Sequence, residues 1–143
     1  MRYRSIERVR LNAHGYLFSS PDMKPAQKIF YIEFQASELG KTKVFFEEVF
    51  GWVFTDYGPD YISFTDGHMA GGFARSDRPA PSATGGALVV LLDPQLEDAL
   101  RRVVDCGGKI TRDIFSYPGG RRFHFTEPSG NELSVCAESE ATP

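Results

Sequence analysis

The chain is poor in the residues that build metal clusters and disulfide frameworks. It has two cysteines, Cys106 and Cys136, far apart and without a CxxC spacing, and three histidines in 143 residues. Two thiols are too few for a cysteine-based zinc site or a stapled scaffold, so both are expected to be buried and free. No run approaches the roughly 20 apolar residues a membrane helix needs, and no apolar segment of signal-peptide type follows the basic start. The expectation is a soluble, cytoplasmic protein with no membrane contact. An excess of positive charge is also missing: 16 basic against 19 acidic side chains leave a net charge of −3, which argues against nucleic acid as a partner.

What is present is core material. Apolar residues make up 41% of the chain, and phenylalanine alone fills 12 positions, enough for one domain or for two small repeated modules sharing one core. The aromatics sit mostly at core periods, so their number is not a sign of base stacking.

Residues 1–27 differ from the rest. MRYRSIERVR carries four arginines in ten positions, and the stretch has no clean period of 2 or 3.6. It reads as an irregular extension, with Met23 standing just before the first regular pattern as an alternative start, and a basic arm or presequence as the rival reading. Deleting residues 1–22 is expected to leave the melting temperature nearly unchanged. At the other end, 139–143 reads as a tail.

From residue 28 the signals become regular. Phe30, Ile32 and Phe34 alternate with Tyr31, Glu33 and Gln35, a strand with two different faces. Ser37 is the expected N-cap of a helix carrying Leu39, Val44, Phe45, Val49 and Phe50 and ending at Gly51. WVFTDY, YISFTDG and MAGGFAR then read as three strands punctuated by Gly58–Asp60 and by Asp66 and Gly67. After the connector SDRPAPSATGG the pattern returns. GALVVLLD is a strand, Leu96, Ala99, Leu100, Val103 and Val104 make one helical face, with Glu97–Arg101 and Asp98–Arg102 as outward pairs, and KITRDIF, RRFHFTE and NELSVCAE are strands.

Both halves read βαβββ. Phe30, Ile32 and Phe34 map onto Ala87, Val89 and Leu91 at an offset of 57, Gly51 onto Gly107 at 56, and Phe64 onto Phe125 at 61. A duplicated module with small loop insertions gives that drift. The fold class expected is α+β, two tandem βαβββ modules (about 28–75 and 85–138) forming a curved, barrel-like mixed sheet around a cavity. The rival, a ferredoxin-like βαββαβ sandwich with added strands, does not predict the strand doublet after each helix.

The ordered set KIFYIEF, FFEEVFGW, LEDALRRVVDCGGKI and FHFTEPSGNELSV resembles the vicinal oxygen chelate superfamily, which includes glyoxalase I, extradiol dioxygenases and the bleomycin and fosfomycin resistance proteins. The resemblance covers residues 28–138. It implies that the concave sides of two modules enclose a ligand cavity, that small members pair as homodimers, and that a metal, where present, takes ligands from the first and last strands of each module. Here those positions are Tyr31, Leu88, Ser134 and either Gly71 or Gly72. Leu and Gly offer no donor, so no standard metal site is expected.

Alternation assigns the candidate cavity face without the family. If Phe30, Ile32 and Phe34 meet the first helix, Tyr31, Glu33 and Gln35 face away; if Leu133 and Val135 meet the second, Glu132, Ser134 and Cys136 face away, together with Leu88 and Val90. Apolar walls with a few polar groups suit a small-molecule ligand. The candidate ligand-binding set is Tyr31, Glu33, Leu88, Val90, His124, Glu132, Ser134 and Cys136, with Glu33, Tyr31 and His124 as catalytic candidates should the protein be an enzyme. The bland reading stands beside each: Glu33 a solvated carboxylate at a rim, His124 a hydrogen-bonded sheet residue, Glu132 surface charge, Cys136 inert. A noncanonical divalent metal on Glu33, His124 and Glu132 is a remote alternative. Gly119, Gly120, Arg121 and Arg122 could touch a phosphate or carboxylate, but a solvated hairpin turn is the expectation. Three classes compete: a metal-free binding protein, a glyoxalase-like lyase or isomerase or dioxygenase-like enzyme, and an interaction module whose cavity is filled and whose Glu33 is inaccessible.

Overall fold

The computed structural model describes residues 28–78 and 84–139. The expected N-terminal extension, with His14, and the end of the C-terminal tail lie outside the described residues. The first module contains β1 (Tyr31–Ala36), α1 (Leu39–Phe50), β2 (Val53–Asp56), β3 (Tyr61–Thr65) and β4 (Ala70–Arg75). The second contains β5 (Val89–Leu92), α2 (Leu96–Asp105), β6 (Lys109–Tyr117), β7 (Gly120–Thr126) and β8 (Glu132–Glu138).

Each module has its own four-stranded mixed sheet, ordered β1-β4-β3-β2 and β5-β8-β7-β6. In both, the first strand runs parallel to the last and the other neighbours are antiparallel. This is the expected tandem α+β repeat, and the strand doublet after each helix removes the ferredoxin-like alternative. Neither sheet closes into a barrel. Both helices lie on one side of the sheets over a shared core, leaving the other face of each sheet open. No helix among the described residues is long and apolar enough to cross a membrane.

The helix ends follow from local sequence. At Gly51, φ is 71° and the N–H reaches Glu47 O at 3.0 Å, while Trp52 N reaches Phe46 O at 3.2 Å. Only a residue without Cβ takes that left-handed turn cheaply. The turn swings Trp52 between the rings of Phe46 (4.4 Å) and Phe64 (4.3 Å), which explains the FGW signature as a packing device. Phe45 meets Phe125 of the second sheet at 5.9 Å, so the modules share aromatic core.

Several expectations need correction. Phe30 precedes β1 and is 86% exposed; the core side of β1 is Ile32, Phe34 and Ala36. Ser37 caps nothing: the N-cap is Glu38, without a side-chain cap, and its N–H goes to Ser129 Oγ at 3.0 Å. Val44 is 48% exposed, because the buried stripe of α1 runs through Thr42, Phe45, Phe46 and Val49. Val104 likewise faces out. The outward pairs on α2 are replaced: Arg101 pairs with Asp98, Glu97 with Arg121 of β7, and Arg102 spans Asp93 Oδ2 (2.9 Å) and Val49 O (3.1 Å), tying α2 to the end of α1.

The EPSGN turn is the second tie. Glu127 is only 2% exposed and accepts hydrogen bonds from Thr42 Oγ1 (2.8 Å) and Ser129 N (2.6 Å), while Asn131 Nδ2 donates to Gln35 O at 2.8 Å. Burial pushes the Glu127 carboxyl above its usual range, opposed by the donors around it. The turn therefore fastens β7 and β8 to the start of α1.

Candidate functional site

The open face of the first sheet is set by the parallel register of β1 and β4. Glu33 lies opposite Gly72, and Gly72 opposite Ser63 of β3. Ile32 and Phe34 point to the core, so Tyr31, Glu33 and Gln35 share the open face, as expected. Tyr61, two residues before Ser63, leans over Gly72: its hydroxyl lies 2.5 Å from the Tyr31 hydroxyl and donates to Glu33 Oε1 at 3.0 Å. A Cβ on Gly72 would collide with the Tyr61 hydroxyl and crowd that of Tyr31, so the missing side chain is what lets two phenols and a carboxylate meet across β4. Burial, with the Tyr31 and Glu33 contacts, pushes the Tyr61 hydroxyl well above the usual phenol range, holding it as a donor. Beside the cluster a shallow cleft of about 430 Å³ is lined by Tyr31, Tyr57, Tyr61, Ser63, Phe64 and Ala70. Glu33 is exposed.

The second sheet repeats the register with other chemistry. Val90 lies opposite Ser134, and Ser134 opposite His124. Phe123 and Phe125 are buried in the core, which turns His124 and Arg122 to the open face. Leu88 stands just before β5; Val90 and Leu92 are exposed on this face, Leu92 at 62%. Ser134 is fully buried and donates to Phe123 O at 2.9 Å. Cys136, half-buried like Cys106, lies opposite Arg122 and beside Tyr117, whose hydroxyl is pushed up by burial and by that thiol.

A register shift in β6 adds a residue between Arg112 and Phe115 relative to β7, so both reach this face. The Arg112 guanidinium sits 3.5 Å from the Phe115 ring centroid, Arg122 lies 5.4 Å from the same ring and 5.2 Å from that of Tyr117, and the His124 ring meets Phe115 edge-on at 5.7 Å. His124 Nδ1 is 3.7 Å from Glu132 Oε2, which accepts from Thr111 Oγ1 at 2.9 Å. Burial and the Arg122 charge press the imidazole below its usual range, against the pull of Glu132. Arg122 Nε and His124 Nε2 are buried and bond to nothing among the described residues.

The structure thus gathers His124, Glu132, Ser134, Cys136 and Val90 on one open face and Tyr31 and Glu33 on the other. Tyr61, Arg112, Phe115 and Tyr117 were not among the candidates. Arg122, weighed as a phosphate or carboxylate contact but expected in a solvated turn, belongs to β7; its parity with His124 is the signal that places it on this face. Among the described residues no three His, Cys, Asp or Glu side chains converge as a metal set. The register makes Gly72 the counterpart of Ser134, so the positions where the superfamily places its ligands hold Tyr31, Gly72, Leu88 and Ser134. With two of these lacking a donor and the Ser134 hydroxyl committed to Phe123 O, they do not fit a divalent ion.

A larger cavity lies elsewhere. A groove of about 1070 Å³ runs along the module seam on the helix side, past Lys41, Val44, Cys106, Lys109 and Pro128. The buried polar side chains at its edge, Thr42, Glu127 and Ser129, bond to one another, so the unpaired chemistry sits on the open faces instead.

A family model of the glyoxalase/bleomycin resistance protein/dioxygenase superfamily matches residues 28–135. Among solved structures, a glyoxalase-related enzyme from Fulvimarina pelagi is 19% identical with a TM-score of 0.67, covering 78% of this chain and 88% of its own. The fosfomycin resistance protein FosX from Listeria monocytogenes is 13% identical (TM-score 0.66; 79% and 94% covered). Lactoylglutathione lyase from Agrobacterium tumefaciens is 18% identical (TM-score 0.59; 80% and 96% covered). At these identities the likeness is one of fold. No curated protein matches the chain.

Proposed function

We propose, from the premise that the chain belongs to the glyoxalase/bleomycin resistance protein/dioxygenase superfamily, that it binds a small organic molecule between open sheet faces brought together in a homodimer, without the metal centre of its metal-dependent relatives. The carrying observation is the make-up of those faces: exposed apolar side chains, Tyr31, Val53 and Tyr57 on one and Val90 and Leu92 on the other, surround a few placed polar groups. Charge supports the pairing, because Glu33 marks the first face while Arg112 and Arg122 mark the second, so unlike faces of two copies complement each other. Native mass spectrometry with elemental analysis is the test. A dimer without stoichiometric metal, stabilised in thermal melts by members of a small-molecule panel, is the expected result. A monomer that no compound stabilises, or one ion per chain, overturns it.

A second reading has its own observation. The Tyr61 hydroxyl donating to Glu33, with Tyr31 in contact, is a proton relay open to a ligand, which suits a lyase or isomerase with Glu33 as base and Tyr61 as donor. Glu33→Gln would then abolish turnover while leaving ligand binding within a few-fold.

A further inference from the structure

The two modules superimpose by register, and the superposition singles out Arg122. The antiparallel pairs Ser63–Gly72 and Tyr61–Ala74 of the first sheet recur in the second as His124–Ser134 and Arg122–Cys136. The parallel pair Glu33–Gly72 recurs as Val90–Ser134. Arg122 therefore occupies the place of Tyr61, and Val90 the place of Glu33. In the first sheet the donor at this place reaches across the last strand to a carboxylate. In the second sheet the donor is a guanidinium, and the place of the carboxylate is taken by an apolar side chain.

The consequence is visible in the atoms left over. Arg122 Nε and His124 Nε2, on side chains two residues apart on one strand and so roughly 7 Å apart at their roots, are buried without a partner among the described residues. Buried polar nitrogens are nearly always paired in a working protein, because a desolvated donor or acceptor without a partner is costly. The surroundings fix the kind of acceptor. Arg112 and Arg122 both lie against the Phe115 ring, which holds two like charges on one face. Glu132 is held by Thr111 and sits at the Nδ1 side of His124, away from the orphaned Nε2. Val90, Leu92 and Phe115 give the neighbourhood an apolar wall.

We infer that the open face of the second sheet is a subsite for the oxyanion of a small organic acid, its carboxylate or phosphoryl oxygens accepting from Arg122 Nε and, as the ring takes up a proton on binding, from His124 Nε2, with Arg112 adding charge and Phe115 flanking the organic part. This rests on the small-molecule reading above and names its ligand class: an organic anion, where the first face offers phenols and a carboxylate. Arg is suited to the role because its planar fork matches carboxylate and phosphoryl oxygens alike.

The test is NMR titration of the imidazole and guanidinium resonances of the full chain with three probes: benzoate, inorganic phosphate and the neutral analogue benzyl alcohol. Saturable shifts at His124 and Arg122 with benzoate or phosphate, at least tenfold tighter than with benzyl alcohol, are expected, and the stronger of the two anions distinguishes a planar from a tetrahedral ligand. Arg122→Met should weaken anion binding tenfold or more, whereas Arg121→Met, which touches only the outward pair with Glu97, should not. Val90→Glu restores in the second sheet the carboxylate the first one has, and should displace the anion without removing Arg122. Binding of benzyl alcohol as tight as that of the anions overturns the subsite but leaves the small-molecule reading standing; no binding of any probe counts against both. Anion shifts that survive Arg122→Met, or that appear only in Glu33→Gln, overturn the subsite, the latter by assigning the acceptor to Glu33 of a second copy.

Discussion

Glu33 and Val90 stand at one position of a duplicated module, Tyr61 and Arg122 at another, Gly72 and Ser134 at a third. The backbone treats each pair alike, yet the first open face closes its hydrogen bonds on itself while the second leaves two buried nitrogens open. What separates them is the strand in the middle. With Gly72 there, side chains from β1 and β3 meet over bare backbone; with Ser134 there, bonded down to Phe123 O, the side chains of β5 and β7 stay apart. Two similar scaffolds thus carry a prearranged phenol–carboxylate cluster and a basic, unsatisfied one. A cavity made from unlike faces can orient a molecule with unlike ends.

The largest effects are expected one residue away, on the core side of the same strands. Gly71 lies opposite Phe64, and its equivalent Leu133 opposite Phe125. A Cβ on Gly71 would run into the Ile32 carbonyl oxygen and the Phe64 ring, whereas Leu133 is fully buried. Leu133→Ala should cost about 3 kcal/mol by leaving a cavity, and Gly71→Ala about 2 kcal/mol by overpacking, both read by urea denaturation. A neutral Gly71→Ala would show that the first sheet can yield at this point and that its core side is less tightly packed than that of the second.

A smaller effect tests the faces themselves. Tyr61→Phe removes a made hydrogen bond to a carboxylate and should cost about 1 kcal/mol. Arg122→Met removes a donor that has no acceptor within the described chain, keeps the apolar stem, and should stay within about 0.5 kcal/mol of wild type in anion-free buffer. If Arg122→Met destabilises as much as Tyr61→Phe, the guanidinium is paired in the free protein and the two faces are equally satisfied.

Much of this contrast was legible in the sequence, and the rest was hidden for physical reasons. Alternation alone placed Tyr31 and Glu33 on one side of β1 and His124, Ser134 and Cys136 on one side of β7 and β8, because period 2 leaves little choice once one face is apolar. The offset between halves revealed the duplication for the same reason. Alternation failed at Phe115, since an extra residue in β6 returns positions three apart to one face. It also missed Tyr61, whose partner Glu33 lies 28 residues away and is reachable only because β4 sits between them without a side chain. Val44 was misplaced against Phe46 because adjacent helical positions differ by 100° and the phase of α1 is set by what it packs on, including Thr42 held by Glu127 from the other module. Sequence shows the period; which residues meet across modules is settled by tertiary contacts.

The smallest effect separates the faces by pH. His124 is held below its ordinary value of 6.5, first by burial and then by Arg122, with Arg112 of β6 acting the same way and Glu132 of β8 acting against them. Its equivalent in the first sheet, Ser63, cannot titrate. An imidazole with a depressed folded-state value takes up its proton more readily in the unfolded chain, so it costs no stability above pH 6.5 and lowers stability progressively as pH falls from there through the folded value. Chemical denaturation between pH 7 and pH 5 should therefore show a decline that His124→Asn flattens and Tyr61→Phe leaves in place. A bound oxyanion beside Nε2 favours the protonated ring and should shrink the decline; a slope in His124→Asn equal to that of wild type would mean that the second face contributes nothing to pH sensitivity in this range.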